Sequence, residues 1–510
     1  MAGLPDWCEP LYDAPRMRAI DRWVIDQQGV ASLELMERAG EGVARLVEQL
    51  APDGPVAVVC GKGNNGGDGL VVARLLRQAS REVGVICLGV PDELSPDAHA
   101  NLERLVGGEP VLGLADGAAR DLLGRAGAVV DAILGTGFEG AARGGAAEAI
   151  EAINGSAGRV VSVDVPSGVD ASTGEVGGVA VRADATATFH AAKVGLWVRP
   201  GKSHAGEVVE IDIGIPRGAP ASTQAGLIDR RVLDVLPRRL AGSTKFTSGH
   251  VVVVGGSAGL MGAPAMASLA AMRAGAGYVT ACVPASERHV LDAQLIETMT
   301  RALPDERGAL APAAIGSALA ALARAGSLAL GPGLGSEQGS ADFARELARR
   351  SSVPTVIDAD GLNAHAGCLA ELAGRDAATV LTPHAGELAR LLGIDSADVE
   401  RERLARARQA AELSGAVVVL KGDDTLVVDP DGRVAISRGG CPALATAGSG
   451  DVLTGAIAAL LAQGLDAFTA AAAGVCLHAQ AGREAARVQG AAEGVIATDV
   501  IAALPRARRA

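Results

Sequence analysis

Short β-branched runs, each followed by a glycine-bearing loop and then a helical pattern, constrain this chain more than any other feature. In the first half the runs are VAVVC, VGVICLGV, AVVDAIL, RVVSVDV, ATATFH and EVVEIDIGI. Uninterrupted apolar strands that alternate with helices are typical of a parallel sheet covered on both faces. Ligands bind beyond the carboxyl ends of such strands. The sequence therefore predicts an α/β fold with a site in the loops GKGNNGGDG, GTGFEG and PSGVDASTG.

The same alternation returns after PRGAPASTQAG, a stretch rich in Pro, Gly and Ser that is typical of a linker. Its runs are HVVVVGG, GYVTACV, SLALGPG, VPTVIDA, ATVLTP, AVVVLKG, DTLVVD and VAIS, and Ala-rich helices follow from 450 to about 488. A helical lead-in is predicted over residues 17 to 50. Because 510 residues are too many for one core, we predict two domains, 1–216 and 228–510, with a linker over 217–227.

Composition and charge exclude several classes of protein. A formal net charge of −13 argues against binding of nucleic acid, because neutralising its phosphates needs a concentrated basic face. The uncharged run over 251–272 contains GGSAGLMGAP, which would break a helix in lipid, so we interpret it as strand, loop and helix. The N-terminus lacks the apolar core of a secretory signal, and the seven cysteines form no C-x-x-C pair. We therefore expect a cytoplasmic protein that binds neither nucleic acid nor a membrane.

The loop GKGNNGGDG satisfies the spacing G-x-G-x-x-G directly after a predicted strand. Backbone N–H groups of such a loop, at the start of a helix, can hold a phosphate. A dehydrogenase would carry an acidic residue about 20 positions further on, whereas here the next strand is followed only by Asp92 and Glu93. Asp68 falls where the helix is expected to begin, where it would cap the helix and repel a pyrophosphate. The motif alone is explained equally well by a tight strand-to-helix turn.

Polar side chains gather where the first-half strands are predicted to end. Asp131 and Asp164 end two of these strands, Ser167 follows, and Asn64 and Asn65 lie in the first glycine loop. Oxygen ligands of this kind suit a monovalent or hard cation together with an acid/base group. Taken singly, each of these residues is better explained as a cap of a loop or helix.

The segment GCPALATAGSGDVLTG carries the strongest catalytic signal of the second half. Its glycine loop runs into a predicted helix, so the loop amides and the helix dipole can stabilise a transferring phosphoryl group. Asp451, at the helix start, can then deprotonate the attacking hydroxyl. A capped tight turn would explain GSGD alone, but LKGDDTLVV, with Lys421 at a strand end, and GPGLG favour a phosphate site. The sequence contains no Walker A motif.

In combination, the first-half motifs resemble those of the NAD(P)H-hydrate epimerase family. The motifs are GNNGGDGLVVAR, VDAILGTG, SVDVPSGVDASTG and ATFHAAKVGL followed by GEVVEIDIGIP, in order over nearly all of 10–216. The resemblance implies a Rossmann-like fold that interconverts the R and S epimers of hydrated NADH or NADPH, with potassium in the site. It implies that Asp164 transfers the proton. The implied potassium ligands are Asn65, Asp131 and Ser167. The implied substrate-binding residues are Asn64, Asn65, Gly66, Gly67, Asp68, Gly135, Thr136, Gly137, Phe138, Ala141 and Ser167.

The second-half motifs resemble the ribokinase-like superfamily and, within it, the ADP-dependent NAD(P)H-hydrate dehydratases. They include VVVVGGSAGLMGAPAMASLAAMRAGAGYVT, LIETM, LGPGLG, VIDADGLN, LTPHAGELARLLG, LKGDDTLV and ATAGSGDVLTG, over about 228–505. The resemblance implies that the hydroxyl is phosphorylated and then eliminated, with ADP as donor, Mg²⁺ as cofactor and Asp451 as base. The implied hydrate site contains Ala263, Gly333 and His384. The implied nucleotide contacts are Lys421, Gly422, Asp423, Asp424, Thr425, Gly448 and Gly450. Only the resemblance favours ADP over ATP.

Several residues keep more than one interpretation. Lys193, at the end of ATATFHAAK, could balance nearby acids, although a lysine at a strand end is usually solvated. His384 taken alone is more typical of a packed or capping residue than of a ligand contact. Glu387 could reach magnesium through water or serve as a helix-start acid. Arg38 stands where the epimerase family commonly has asparagine, and Cys441 lies in the loop before Asp451.

The sequence thus predicts a bifunctional enzyme that repairs hydrated NADH and NADPH and restores the reduced cofactor. One alternative is a small-molecule kinase, because the same fold and aspartate serve both activities. TPHAGE and the N-terminal half weigh against it. A second alternative is a non-catalytic N-terminal binding module, which Asp164, Asp131 and Asn65 disfavour. Ala-rich terminal helices suggest a homo-oligomer, although helices buried inside the domain would show the same composition.

Overall fold

The computed structural model describes residues 3–105, 111–114, 117–216, 219 and 222–509. Contacts divide the chain into two compact units, one of residues 10–226 and one of residues 1–9 with 227–510. Each unit contains a largely parallel sheet with helices, so the prediction of a two-domain α/β protein is confirmed. Of the predicted linker, residues 217, 218, 220 and 221 lie outside the described residues.

Within the described residues, the first unit contains a seven-stranded sheet in which every pairing is parallel. Counted along the chain, the strands are Val56–Cys60, Val83–Cys87, Val111–Leu112, Ala128–Ala132, Arg159–Val163, Ala185–Phe189 and Glu207–Ile211. Their spatial order is 3-2-1-4-5-6-7. Six of the strands were predicted, and Val111–Leu112 was not. The order reverses between the first and fourth strands, and this switch point is where ligands bind in such sheets.

Helices cover both faces of this sheet. They span Ala14–Asp26, Ser32–Leu50, Asn64–Gln78, Pro96–Glu103, Gly117–Arg125, Gly145–Asn154 and Lys202–Ala205, with 3₁₀ turns at Pro91–Glu93 and Val194–Leu196. Along the first strand, Val56 and Val58 belong to the core on one face, whereas Ala57 and Val59 belong to the core on the other. This alternation explains why the strands are apolar throughout. The predicted helical lead-in is two helices rather than one.

The helix after the first glycine loop begins earlier than predicted. It spans Asn64–Gln78, so Asp68 lies inside it, 9% exposed, and does not cap it. Gly66 allows this early start, because a Cβ at this position would lie 2.0 Å from the carbonyl oxygen of Gly61. At Gly67 a Cβ would lie 2.8 Å from Sδ of Met36. Glycine therefore lets the helix begin against the strand and the neighbouring helix, which carries Asp68 inward.

The second unit is built on a sheet that has eleven strands within the described residues. Along the chain they are Cys8–Leu11, Ala225–Ile228, His250–Val254, Tyr278–Pro284, Met299–Leu303, Ser327–Leu330, Thr355–Ile357, Thr379–Leu381, Val417–Leu420, Leu426–Val428 and Val434–Ile436. Their spatial order is 1-2-11-10-9-8-7-6-3-4-5. All pairings among strands 3 to 9 are parallel, whereas strand 10 pairs antiparallel with strands 9 and 11. Asp305–Glu306 and Ala309–Leu310 form a separate short hairpin.

The helices of the second unit pack closely through small side chains. They span Gly262–Arg273, Arg288–Gln294, Ile315–Leu322, Gln338–Arg350, Asp360–Asn363, Ala385–Leu392, Ser396–Arg401, Arg403–Ser414, Ser449–Ala462, Ala467–Gln489 and Ala497–Ala507, and 3₁₀ turns span Arg230–Val235, Pro312–Ala314, Leu369–Gly374 and Pro442–Leu444. A Cβ at Gly455 would lie 2.1 Å from the carbonyl oxygen of Ala267.

The alanines of the terminal helices are largely buried within their own unit. Their composition is explained there and gives no support to the expected homo-oligomer. Across the described ranges, no helix is long and apolar enough to cross a membrane. The run over 251–272 is a strand, a loop and a helix, as predicted.

Candidate active sites

A cavity of about 1140 Å³ opens at the carboxyl ends of the strands in the first unit, beside the switch point. Most of the residues predicted there line it: Asn64, Asn65, Asp68, Gly135, Thr136, Gly137, Phe138 and Asp164. Gly66, Gly67, Ala141 and Ser167 are not among its lining residues. Lys193, Asp21 and Phe189 also line it. The cavity is large enough for a small-molecule substrate.

Asp164 and Lys193 form an ion pair in the wall of this cavity. Lys193 is 1% exposed, and its Nζ lies 2.6 Å from Oδ1 of Asp164. The same Nζ donates to Thr188 Oγ1 and to the carbonyl oxygen of Phe189, each at 2.9 Å. The expectation of a solvated strand-end lysine is wrong, because the strand ends at Phe189 and the chain then turns Lys193 inward.

The environment of Asp164 keeps its carboxylate ionised. Asp164 follows the strand that ends at Val163 and adopts φ +66°, a conformation that non-glycine residues rarely occupy. Its Oδ2 accepts from the backbone nitrogen of Thr136 at 3.3 Å and from the Thr136 hydroxyl. Burial raises the pKa of Asp164, but the charge and hydrogen bonds of Lys193 and Thr136 outweigh it, and the pKa lies below its ordinary value.

Two further acids that line the cavity have pKa values above their ordinary values. Burial, followed by the charges of Asp164, Asp21 and Asp97, raises the pKa of Asp68 well above its ordinary value. Burial and the charge of Asp164 raise the pKa of Asp21 to about 6. The cavity therefore combines one acid whose pKa is lowered with two acids whose pKa values are raised, and such a separation identifies acid and base roles. Asp21 lies in the first helix, where no sequence motif pointed to it.

Asp131 and Ser167 form a buried network behind the cavity. Oδ2 of Asp131 accepts from Ser162 Oγ at 2.8 Å and from the Ser167 nitrogen at 2.9 Å, while Oδ1 accepts from Ser167 Oγ at 2.5 Å. Ser167 Oγ also accepts from the Leu134 nitrogen at 2.8 Å. Burial raises the pKa of Asp131 despite these donors. The network fixes the segment after the strand Ala128–Ala132 against the loop that contains Ser167.

The donors predicted for potassium are all oxygens, as hard cations prefer. The Nδ2 of Asn65 is buried without a hydrogen-bond partner in the described chain, but this group only donates, so Oδ1 is the atom of Asn65 that is suited to a cation. Its carboxamide lies beside Gly135, where a Cβ would be 3.0 Å from Oδ1 of Asn65. The described residues contain no cluster of three His, Cys, Asp or Glu able to hold a metal. The oxygen atoms of Asn65, Asp131 and Ser167 fit a hard cation.

The candidate site of the second unit is centred on Asp451 and a buried ion pair. Nζ of Lys421 lies 3.0 Å from Oδ1 of Asp358, whose Oδ2 accepts from Thr454 Oγ1 at 2.7 Å. A Cβ at Gly450 would lie 3.6 Å from the Lys421 Nζ. Burial and the charge of Asp358 raise the pKa of Asp451 to about 7, although Lys421 lowers it.

The glycine loop before Asp451 has the shape that the motif predicted. Gly448 adopts φ +85°, and the helix Ser449–Ala462 starts directly after it, with Asp451 in the first turn. A Cβ at Gly448 would lie 2.5 Å from Sδ of Met266. Glycine is therefore required there both for the backbone conformation and for space. The loop leaves the first helical N–H groups available to an anion.

His384 and Glu387 cap the start of the helix Ala385–Leu392. His384 Nδ1 accepts from the Glu387 nitrogen at 3.2 Å, and Glu387 Oε2 accepts from the His384 nitrogen at 2.8 Å. The Nζ of Lys421 lies 3.6 Å from the same Glu387 oxygen. Glu387 thus lies in the first turn of this helix as an acid that caps its start, which is one of its two interpretations. The His384 side chain is 55% exposed, so its second nitrogen remains accessible.

The loop GPGLG lies against the start of the helix Gly262–Arg273. A Cβ at Gly333 would lie 2.5 Å from the Leu260 carbonyl oxygen and 3.2 Å from Cβ of Ala263. Ser257 Oγ donates to the carbonyl oxygen of Gly333 at 3.0 Å. The structure thus brings together Ala263 and Gly333, two of the three residues predicted for the hydrate site.

Asp424 differs from the other predicted nucleotide contacts because its carboxylate is buried. Its Oδ2 lies 3.0 Å from Nε of Arg403, and the two side chains are 0% and 1% exposed. Arg403 also donates to the carbonyl oxygen of Lys421 at 3.2 Å. Any contact of Asp424 with a nucleotide must therefore come from its backbone. Gly422 and Asp423 are exposed in the same loop.

Asp358 is the acid of this site that received no predicted role. It follows the strand Thr355–Ile357 in the motif VIDADGLN. An acid directly after a buried parallel strand is the signal that identified Asp164 in the first half, and it would have identified Asp358 here as well.

Comparison with known protein families assigns both units. A family described as NAD(P)H-hydrate dehydratase matches residues 251–506, and a family described as YjeF-related protein N-terminus matches residues 32–195. An ADP/ATP-dependent NAD(P)H-hydrate dehydratase from Bacillus subtilis, crystallised with ATP and Mg²⁺, is 28% identical and has a TM-score of 0.47, covering 55% of this chain and 95% of its own.

Full-length relatives match both units together. The bifunctional NAD(P)H-hydrate repair enzyme Nnr of Moorella thermoacetica is 43% identical over 97% of this chain and 96% of its own. The enzyme of the same name from Salinibacter ruber is 42% identical over 98% of this chain and 96% of its own. This chain therefore belongs to the family of bifunctional NAD(P)H-hydrate repair enzymes.

Proposed function

We propose that this chain restores hydrated NADH and NADPH in two reactions. The first unit interconverts the R and S hydrates, and the second removes water from the S hydrate at the expense of ADP. One observation carries the proposal. The chain contains two sites whose acids have pKa values shifted in opposite directions. Asp164 is held ionised beside Lys193, whereas Asp451 has a pKa of about 7 beside a glycine loop.

The cavity of the first unit supplies what epimerisation at a hemiaminal carbon requires. Breaking either the carbon–oxygen or the carbon–nitrogen bond needs one group that takes a proton and another that gives one. Asp164 can accept it in its ionised form, which Lys193 and Thr136 favour. Asp68 is suited to donate, because its burial retains the proton. After rebonding on the opposite face, the two groups return to their starting states.

Potassium is proposed to be held by Asn65, Asp131 and Ser167. A bound cation would supply positive potential near the substrate. The buried Asp131 carboxylate provides a matching charge, and the Oδ1 of Asn65, beside Gly135, provides a neutral oxygen donor. The substrate itself is proposed to contact the loops that contain Asn64, Asp68 and 135–138, because these line the cavity. Gly66, Gly67 and Ala141 would act by shaping these loops.

In the second unit, Asp451 is proposed as the base for phosphoryl transfer. It would take the proton of the substrate hydroxyl as this oxygen attacks the terminal phosphate of the nucleotide. The amides of Gly448 and Gly450 and the ammonium of Lys421 would stabilise the transferring group. The phosphate formed is a far better leaving group than hydroxide, so its elimination restores the reduced ring. Ala263, Gly333 and His384 would contact the hydrate.

The nucleotide is proposed to lie along the loop from Lys421 to Thr425. Gly422 and Asp423 are exposed there, and Arg403, paired with Asp424, fixes the loop from its buried side. Mg²⁺ would bind together with the phosphates of the nucleotide, as is usual at such sites. All seven cysteines are free thiols, which suits the proposed cytoplasmic location.

A mixture of R and S hydrates tests the proposal directly. The wild-type chain should restore the nicotinamide absorbance completely with ADP and not without nucleotide, and an ATP arm tests the donor preference. Asp164→Asn should restore only the S fraction at the normal rate, and Asp451→Asn should restore neither. If the wild-type chain restored no absorbance with either nucleotide, the proposal would be wrong and a kinase activity on other hydroxylated substrates would be tested next.

A further inference from the structure

A second cavity, of about 830 Å³, lies in the second unit away from the residues discussed so far. Seven of its lining residues are arginines and two are aspartates. We call it the arginine cavity. Such a concentration of positive charge contrasts with the net charge of −13 of the whole chain. It is a local feature of this surface and not a consequence of the overall composition.

The arginine cavity lies at the end of the sheet opposite to Asp451. Its residues Ser248 and Gly275 precede the strands His250–Val254 and Tyr278–Pro284, whereas Asp358 and Lys421 follow theirs. The helix Ser449–Ala462 connects the two regions, with Asp451 in its first turn and the cavity residue Gln463 after its end. At 1.5 Å per residue these positions are about 18 Å apart. The cavity is therefore separate from the proposed catalytic site.

Two of its arginines are held in place by backbone carbonyl groups. Nη1 of Arg508 donates to the carbonyl oxygen of Ala274 at 2.6 Å, and Nη2 donates to that of Pro237. Arg239 donates to the carbonyl oxygen of Ala276 at 2.9 Å. These hydrogen bonds give Arg508 and Arg239 a structural role, because they satisfy backbone carbonyl oxygens. They do not neutralise the positive charges of the two side chains. Burial, and then the charges of Arg239 and Arg238, lower the pKa of Arg508.

Two other arginines have no such structural explanation. Arg238 and Arg273 are exposed and line the cavity, and neither side chain has a hydrogen bond or ion pair to the described part of the chain. Of the two acids, Asp229 is already paired with Arg231 at 2.9 Å. Like charges gathered in a concave space repel each other unless an anion joins them. The seven arginines of the lining thus outnumber its two acids, and an added anion would reduce the repulsion between them.

We infer that the arginine cavity binds a small anion that carries phosphate groups. Guanidinium groups form paired hydrogen bonds to phosphate oxygens. Ser243, whose Oγ accepts from the Leu240 nitrogen at 2.8 Å, adds a hydroxyl donor to the wall. The volume is that of a small-molecule site, and the negative charge of the whole chain disfavours a long polyanion such as nucleic acid. Free polyphosphate and the phosphate chain of a nucleotide share this chemistry.

Calorimetric titration of the full-length chain with inorganic pyrophosphate tests the inference. Ionic strength is held constant and no ADP is added, because its phosphate chain would itself occupy the cavity. The test variant is Arg238→Gln with Arg273→Gln, which removes two charges without removing a hydrogen bond. The matched control is Arg301→Gln with Arg307→Gln, two exposed arginines of the same unit outside the cavity and likewise without side-chain partners among the described residues.

Saturable binding by the wild type and the control, weakened roughly tenfold or more in the test variant, would support the inference. Equal affinity in all three proteins, or no saturable binding by the wild type, would overturn it. An added adenosine monophosphate arm distinguishes the two sources, because competition with pyrophosphate that is seen in the wild type and lost in the test variant indicates a nucleotide in the cavity. Self-association of the wild type that is lost in the test variant and unaffected by pyrophosphate would instead assign the cavity to a contact between copies.

Discussion

The ammonium of Lys193 lies 2.6 Å from the carboxylate of Asp164, and the lysine side chain is 1% exposed. A lysine is rarely buried so completely unless an acid compensates its charge. The pair therefore sets both the ionisation state of the proposed epimerase base and part of the stability of the first unit.

Lys193→Met is expected to impair epimerisation and to destabilise the first unit. Without the ammonium, burial dominates the environment of Asp164, so its pKa should rise and the pH profile of epimerisation should move to higher pH. We expect a rate at neutral pH lowered about 100-fold or more. Because one charge of a buried pair is left alone, unfolding should become easier by about 3–5 kcal/mol. Rates over a pH series and denaturant unfolding measure the two effects.

The double variant Lys193→Met with Asp164→Asn separates the effect of the unpaired charge on stability from the effect of side-chain packing. It should recover much of the lost stability, because no unpaired charge remains, but none of the epimerase rate. Since the folded pKa of Asp164 lies below its ordinary value, the stability that the pair contributes is present above that ordinary value. It should be lost as the pH falls through the folded pKa. A double variant no more stable than Lys193→Met would contradict this account.

The dehydratase rate is expected to rise with pH through about 7, because Asp451 must be ionised to act as a base and its pKa is about 7. Its two neighbours should move this profile in opposite directions. Lys421→Met removes a charge that lowers the pKa of Asp451, so the profile should shift to higher pH. Asp358→Asn removes a charge that raises the same pKa, so the profile should shift to lower pH. Measured kcat at saturating substrate, over a pH series, would show both.

Shifts of the same sign in the two variants would argue that Asp451 is not the titrating group. The control is Thr425→Ser, which retains the hydroxyl that bonds Gly422 and should leave the profile unchanged.

Most strands were predictable because their Val and Ile runs are buried on both faces, and acids at their ends marked Asp164 and Asp131. Cys8–Leu11 and Ala225–Ile228 were not predicted, and part of the second was assigned to the linker. Met299–Leu303 was missed because it lies at the edge of its sheet and its residues are mostly exposed. The inward position of Lys193 depends on a turn after Phe189 that no local sequence pattern indicates. Asp68 was misplaced because the start of its helix depends on the fit of Gly66 against the carbonyl group of Gly61. Three-dimensional packing that no pattern of residue types shows decides both cases.

Asp68→Asn should stabilise the first unit at neutral pH while reducing epimerisation. The folded pKa of Asp68 lies well above its ordinary value, so its burial costs free energy once the unfolded carboxyl has ionised. The gain from asparagine should be small near pH 4 and should grow as the pH rises toward the folded pKa. Thermal unfolding at several pH values measures it, with the exposed loop residue changed by Asp92→Asn as control. A constant gain at all pH values would show that the carboxyl is not the cause.

Gly66→Ala is expected to disrupt the start of the helix Asn64–Gln78. The added Cβ would lie 2.0 Å from the carbonyl oxygen of Gly61, a backbone atom that cannot move alone. The helix would have to shift, at a cost of about 1–3 kcal/mol or more. Such a shift would move Asn65 and Asp68, so epimerisation should fall more than stability alone explains.

Gly63→Ala provides the control for this change in the same loop. A Cβ at Gly63 meets no atom within 4 Å, and φ there is −88°, which alanine adopts readily. We expect a loss of only a few tenths of a kcal/mol, as for other replacements at a helix N-cap that lacks a side-chain bond. Denaturant unfolding and hydrate epimerisation, measured on both variants, compare the positions directly. If the two variants behaved alike, the close approach of Gly66 to Gly61 would not be what sets the helix start.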